Sequence, residues 1–159
     1  MKSNRIFMLA WIFTVIALMG IQEGMANPGN HLPITSLTTE WQLDREVDGI
    51  QIYAKRVECH DHMNGIFKEF VMLKFVNTTS QNLRLNWEME LWYDGKCLTC
   101  GLASQEYHYS LDLEAGSSLE GSCDKQSPRE VKFHLRFLNY DHVPKLTQYN
   151  LANLQVSLR

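Results

Sequence analysis

An all-β fold is predicted for this chain: an antiparallel two-sheet sandwich of about eight strands, immunoglobulin-like in its general plan. Three features of the sequence predict it. Past residue 40 the apolar positions recur with period two, turn-forming dipeptides break the chain at short intervals, and Pro28, Pro33, Pro128 and Pro144 all fall outside the alternating runs. Period two is the signature of a strand, whose successive side chains point to opposite faces. Proline lacks an amide donor and is tolerated only where no ladder bond is needed. Many short strands with turns between them favour two packed sheets, and a barrel is the alternative closure.

Residues 1–26 have the three parts of a secretory signal. Lys2 and Arg5 supply the positive start, residues 6–19 (IFMLAWIFTVIALM) the apolar centre, and Gly24-Met25-Ala26 the small residues before a cut after Ala26. A membrane-spanning helix needs roughly 20 apolar residues, and this centre is shorter, so no stable membrane insertion is expected once the signal is removed. Residues 27–39 (NPGNHLPITSLTT) read as a flexible lead-in. Residues 40–159 form the expected domain. Without the signal the chain has 13 Lys and Arg against 17 Asp and Glu, with no block of like charge. That balance argues against a nucleic-acid partner.

Taken in order, residues 41–47 and 50–59 are two strands separated by Asp48-Gly49, a two-residue hairpin signal. Residues 67–76 are apolar on both faces, as a central strand should be, and residues 77–81 turn the chain. Over residues 83–93, Leu83, Leu85, Trp87, Met89, Leu91 and Tyr93 alternate with Arg84, Asn86, Glu88, Glu90 and Trp92. Asp94-Gly95 ends that strand. Further strands are expected at residues 106–113, 119–123 and 131–137, with Ala115-Gly116 breaking the chain between the first two. In the last strand Leu154, Val156 and Leu158 are out of phase with Tyr149 and Leu151, which predicts a bulge near Ala152-Asn153.

Cys59, Cys97, Cys100 and Cys123 are an even set in a chain expected to be exported, so disulfides are expected. If the strands alternate in direction, all four cysteines reach the same end of the domain. Small loops constrain the unfolded chain least, so the favoured pattern is two long-range bridges: Cys59 to one member of the Cys97/Cys100 pair and Cys123 to the other.

Two other chemistries compete for these residues. Cys97 and Cys100 have the spacing of a zinc knuckle, and His60 and His62 share one face of their strand, so a zinc or copper site is the alternative reading. Thiol exchange by the C-x-x-C is disfavoured because no helix N-terminus follows the first cysteine. Trp92 points away from Trp87 and, with Tyr93, is a candidate partner-binding surface for a cell-envelope protein or glycan. Asn77-Thr78-Thr79 matches a glycosylation acceptor, although Asn and Thr also suit a turn. No nucleophile elbow, metalloprotease motif or phosphate loop is present, so neither a catalytic residue nor a cofactor is expected.

With these residues in view, a resemblance can be stated. The strings at residues 48–59 (DGIQIYAKRVEC), 75–79 (FVNTT), 91–100 (LWYDGKCLTC) and 121–123 (GSC) resemble small exported β-sandwich proteins of Gram-negative bacteria. The resemblance implies a periplasmic or secreted setting and a disulfide or metal role for the cysteines, and brings no catalytic residue with it. Residues 113–119 (LEAGSSL) also resemble a corner found in immunoglobulin-like accessory domains, a likeness of fold alone.

Overall fold

The computed structural model describes residues 32–102 and 104–159, so the predicted signal and the first part of the lead-in lie outside the described residues. The described chain forms β1 (Gln42–Val47), β2 (Ile50–Asp61), β3 (Ile66–Asn77), β4 (Leu83–Tyr93), β5 (Lys96–Cys97), β6 (His108–Leu113), β7 (Ser118–Glu120), β8 (Lys132–Phe137) and β9 (Leu146–Leu158). Every pairing is antiparallel, and the strands divide into two sheets with no α-helix among the described residues. The chain is an all-β two-sheet sandwich.

Both sheets are built around one long strand. In the first, β1, β2 and β3 lie side by side, and the far edge of β3 is shared between β8, along residues 68–72, and β7, along residues 74–76. In the second, β9 flanks one edge of β4, while β6 and the short β5 divide the other. The Asp48-Gly49 turn joins β1 to β2 with positive φ at both residues (43° and 82°), the hand that matches the twist of the strands. A Cβ at Gly49 would collide with the Thr79 methyl, so glycine is required twice over. Asp94-Gly95 repeats this geometry (47° and 78°) and folds β5 back on β4, a hairpin where the sequence suggested only a strand end.

The faces follow the alternation. Ile50, Ile52 and Ala54 of β2, with Val71, Leu73 and Phe75 of β3, pack against Leu85, Trp87 and Met89 of β4 and Tyr149 and Leu151 of β9. Phe75 lies 5.1 Å from Trp87, and Phe133 lies 5.0 Å from Tyr149, between ring centroids. Each large side chain so buried contributes about 1.5–3 kcal/mol. Opposite Trp87 the register of β9 slips, so that Asn153 (φ 52°) and Leu154 together face one residue of β4. This is the bulge that restores the apolar phase.

Part of the segment expected to be a flexible lead-in is folded into the core. Ile34 and Leu37 are buried in the core, in and beside a 3-10 turn (Ile34–Ser36) that lies against β9. The backbone N–H of Leu32 donates to the Asp44 carboxylate at 2.8 Å, and the Tyr149 hydroxyl donates to the same carboxylate at 3.0 Å. The polar composition of the segment hid these two apolar side chains, which close the sandwich beside its last strand.

Candidate functional site

Strand direction gathers several connections at one pole. β2 ends and β3 begins there, joined by residues 62–65. β8 runs antiparallel to the start of β3 and leaves through residues 138–145, which deliver Leu146 opposite Tyr93 at the end of β4. The segment from β5 to β6 departs from the same place. Seven large apolar side chains are exposed among the described residues. Met63, Ile66 and Tyr140 lie in or beside connections at this pole, and Leu98 and Leu102 in the segment that leaves it along the edge of β4; Leu43 and Leu158 lie elsewhere.

The sulfur atoms are at this pole too, but their pairing differs from the expected one. Cys59 is bridged to Cys123, 64 residues away, and Cys97 to Cys100, three residues away. The reason is the division into sheets. Cys59 ends β2 and Cys123 follows β7, both strands of the first sheet, whereas Cys97 lies in β5 of the second. Gly121 lets the segment before Cys123 press onto the first sheet, since a Cβ there would meet the Val131 carbonyl and the Met72 sulfur. The Asp94-Gly95 hairpin and the following turn bring the Cα atoms of Cys97 and Cys100 to 5.7 Å. Neither bridge joins the two sheets.

The Cys97–Cys100 turn is anchored by a residue that sequence reasoning passed over. Thr99 is 7% exposed; its hydroxyl donates to the Met89 carbonyl and accepts the Leu91 N–H, both at 2.8 Å. The Leu98 N–H donates to the Leu91 carbonyl at 2.9 Å. Inside the turn, the Cys100 N–H points at Cys97 Sγ, 3.0 Å away. A threonine between two cysteines carries no pattern that would have flagged it.

Trp92 and Tyr93 separate in role. Trp92 is half-buried on the outer face of the second sheet, directly across from Cys97 on one side and Gln148 on the other. Tyr93 turns inward, and its hydroxyl donates to the His134 carbonyl of the first sheet at 2.7 Å. Burial pushes that hydroxyl above its ordinary pKa. It ties the two sheets together.

The metal reading is not supported. All four cysteines are in disulfides, so Cys97 and Cys100 offer no thiolates. His60 and His62 do share a face, 5.8 Å apart between ring centroids, but both set their edges against Phe67 at 5.3 and 5.4 Å. No group of three or more His, Cys, Asp or Glu is placed to hold a metal ion among the described residues. Asn77 is likewise no accessible acceptor: it is 1% exposed and its amide donates to backbone carbonyls.

A groove of about 710 Å³ opens beside the Cys59–Cys123 bridge, with Ile66 and Phe70 along it and Lys68, Lys125 and Lys132 around it. Lys125 reaches Asp61 at 3.4 Å. The Asp61 carboxyl is held below the usual carboxylate range, first by the Asn64 side-chain amide. Among the described residues no helix is long and apolar enough to cross a membrane. Comparison with protein-family models, with curated proteins and with solved structures finds no match to this chain.

Proposed function

We propose that this chain is a non-catalytic exported module that binds a protein partner through the pole carrying both disulfides. The observation that carries the reading is the pooling of Met63, Ile66, Leu98, Leu102 and Tyr140 in the exposed connections of that pole. Apolar surface left in water is tolerated singly, but a concentration of it at one place marks an interaction surface. Connections mounted on a rigid scaffold are the usual seat of binding, and the disulfides brace those that carry Cys100 and Cys123. The lysines around the groove stand out in a chain of formal charge −3 and suit a partner with an acidic rim. A protein fits better than a glycan, because four of the five exposed side chains, Met63, Ile66, Leu98 and Leu102, are aliphatic and offer a sugar no ring to stack on. Two disulfides fit folding in an oxidising compartment. With the signal pattern of residues 1–26 and the resemblance to exported Gram-negative proteins, they support a periplasmic or secreted location.

Photo-crosslinking in the native envelope tests this. A crosslinker at Met63, Leu98 or Tyr140 is expected to give a discrete protein adduct, and one at Ser80 on the opposite pole none. The adducts from Met63 and Tyr140 should disappear when Leu98 and Leu102 are changed to Asp. Equal adducts from both poles, or adducts that survive the charged substitutions, would overturn the proposal.

A further inference from the structure

We infer that Cys97–Cys100 is an exchangeable disulfide, opened and reclosed by an incoming thiolate without loss of the fold. Four observations point there. The turn is held by Thr99 and by the Leu98–Leu91 backbone bond, none of which involves sulfur. Opening the bridge therefore leaves the turn in place, ready to close again. The ring spans only three residues of separation, so the bridge adds little to the constraint of the chain. The Cys100 N–H at 3.0 Å from Cys97 Sγ is positioned to stabilise negative charge on that sulfur. Both cysteines are partly exposed, with Leu98 (52% exposed), Leu102 (46%) and the Trp92 side chain around them as an apolar landing.

The geometry assigns different roles to the two sulfurs. A thiolate attacks Cys100 Sγ; a Cys100–S–S–R bond forms as the Cys97–Cys100 bond breaks, and the electron pair leaves on Cys97 Sγ, where the amide receives it. Cys97 then attacks Cys100 Sγ, expels the thiolate and restores the original bridge. No electrons are gained or lost over the cycle, and the better-stabilised leaving thiolate speeds the first step. Amide N–H groups aimed at sulfur thus do part of what a helix N-terminus does elsewhere. That the incoming thiol sits on a docked protein rests on the binding reading above; the exchange itself does not.

The oxidised protein, incubated with rising glutathione, acid-quenched and mapped by peptide mass, tests the exchange. Glutathione on Cys100, or alkylation of Cys97 and Cys100 together, is expected while Cys59–Cys123 and the β-sheet circular dichroism remain intact. If Cys59–Cys123 opens first, or if Cys97–Cys100 opens only as the sheet signal is lost, the inference is wrong. The single variants Cys100→Ser and Cys97→Ser then assign the sulfurs. The thiol of Cys97 should be alkylated with a midpoint about one pH unit below that of Cys100, and equal or reversed midpoints would overturn the assignment. Exchange with glutathione but no crosslinked partner would remove the binding reading alone; adducts without exchange would remove this inference alone.

Discussion

The two poles of the sandwich differ in what is added to their hydrogen bonds. At the far pole, hydrogen bonds close the chain on itself. The Asn77 amide donates to the carbonyls of Gln81, Leu113 and Glu114, and its oxygen accepts from the Thr79 N–H and hydroxyl. Thr78 donates to the Gly49 carbonyl, and the Gly116 N–H donates to that of Thr79. The three far connections are thus bonded to one another. At the near pole two disulfides and the Tyr93 hydroxyl are added to hydrogen bonds between connections, such as Asn139 to the Gly65 carbonyl and the Asp94 N–H to the Lys145 carbonyl, and apolar side chains are left in water. Both poles use polar groups internally, but the near one alone carries the disulfides and most of the exposed large apolar side chains. The asymmetry separates structural residues from available ones within a single domain.

The largest expected effect tests the sulfur side of that contrast. Replacing Cys59 and Cys123 together by Ala releases a loop of 64 residues' separation and should lower stability by about 4 kcal/mol. The same change at Cys97 and Cys100, separated by three, should cost under about 2 kcal/mol. Urea unfolding of the two double variants measures both, and equal losses would end the distinction between a brace and an exchangeable bridge.

Next in size is the far pole. Asn77→Ala leaves buried carbonyls without their donor and should cost about 3 kcal/mol, whereas Met63→Ala, at a side chain 97% exposed, should stay within about 0.5 kcal/mol. A small loss at Asn77 would mean that its network is decorative and the poles are alike.

The smallest effect is a pH dependence. His134 lies beside Phe70 and Phe137, and burial, helped by Lys68, pulls its pKa below the ordinary value of 6.5. The folded state therefore favours the neutral ring. This contribution is complete above pH 6.5 and is lost as the pH falls from there through the depressed folded value. His134→Gln should flatten the fall in stability on that acid side, as seen in thermal melts between pH 7 and about 5. An unchanged slope would show that His134 does not titrate in the transition.

Much of the fold could be read from residue order because strands report locally. The alternation from Leu83 to Tyr93, the Asp48-Gly49 hairpin and the phase slip after Leu151 each depend on neighbours in sequence, and the structure has all three. What could not be read depends on which strands become neighbours in space. The pairing of Cys59 with Cys123 follows from β2, β3 and β7 sharing a sheet from which β5 is excluded, a partition with no mark in the sequence. Distance along the chain argued for two long bridges; membership of a sheet decided otherwise. The cross-sheet bond of Tyr93 was hidden for a similar reason, since its hydroxyl finds its acceptor on β8, 41 residues away. Ile34 and Leu37 were masked by polar company, because a three-residue turn has too short a period to register.

The nested connectivity of the bridges bears on how a reduced chain reaches its native form. Four thiols can be joined in three ways, and the wrong two would tie the sheets to one another. The pair closest in sequence meets most often, since the entropy of ring closure rises with the span. Once Cys97 and Cys100 have combined, Cys59 and Cys123 can find only each other. The weaker bond thus acts as a proofreader for the stronger, and a chain lacking it should accumulate scrambled isomers only where a single one of its two sulfurs has been removed.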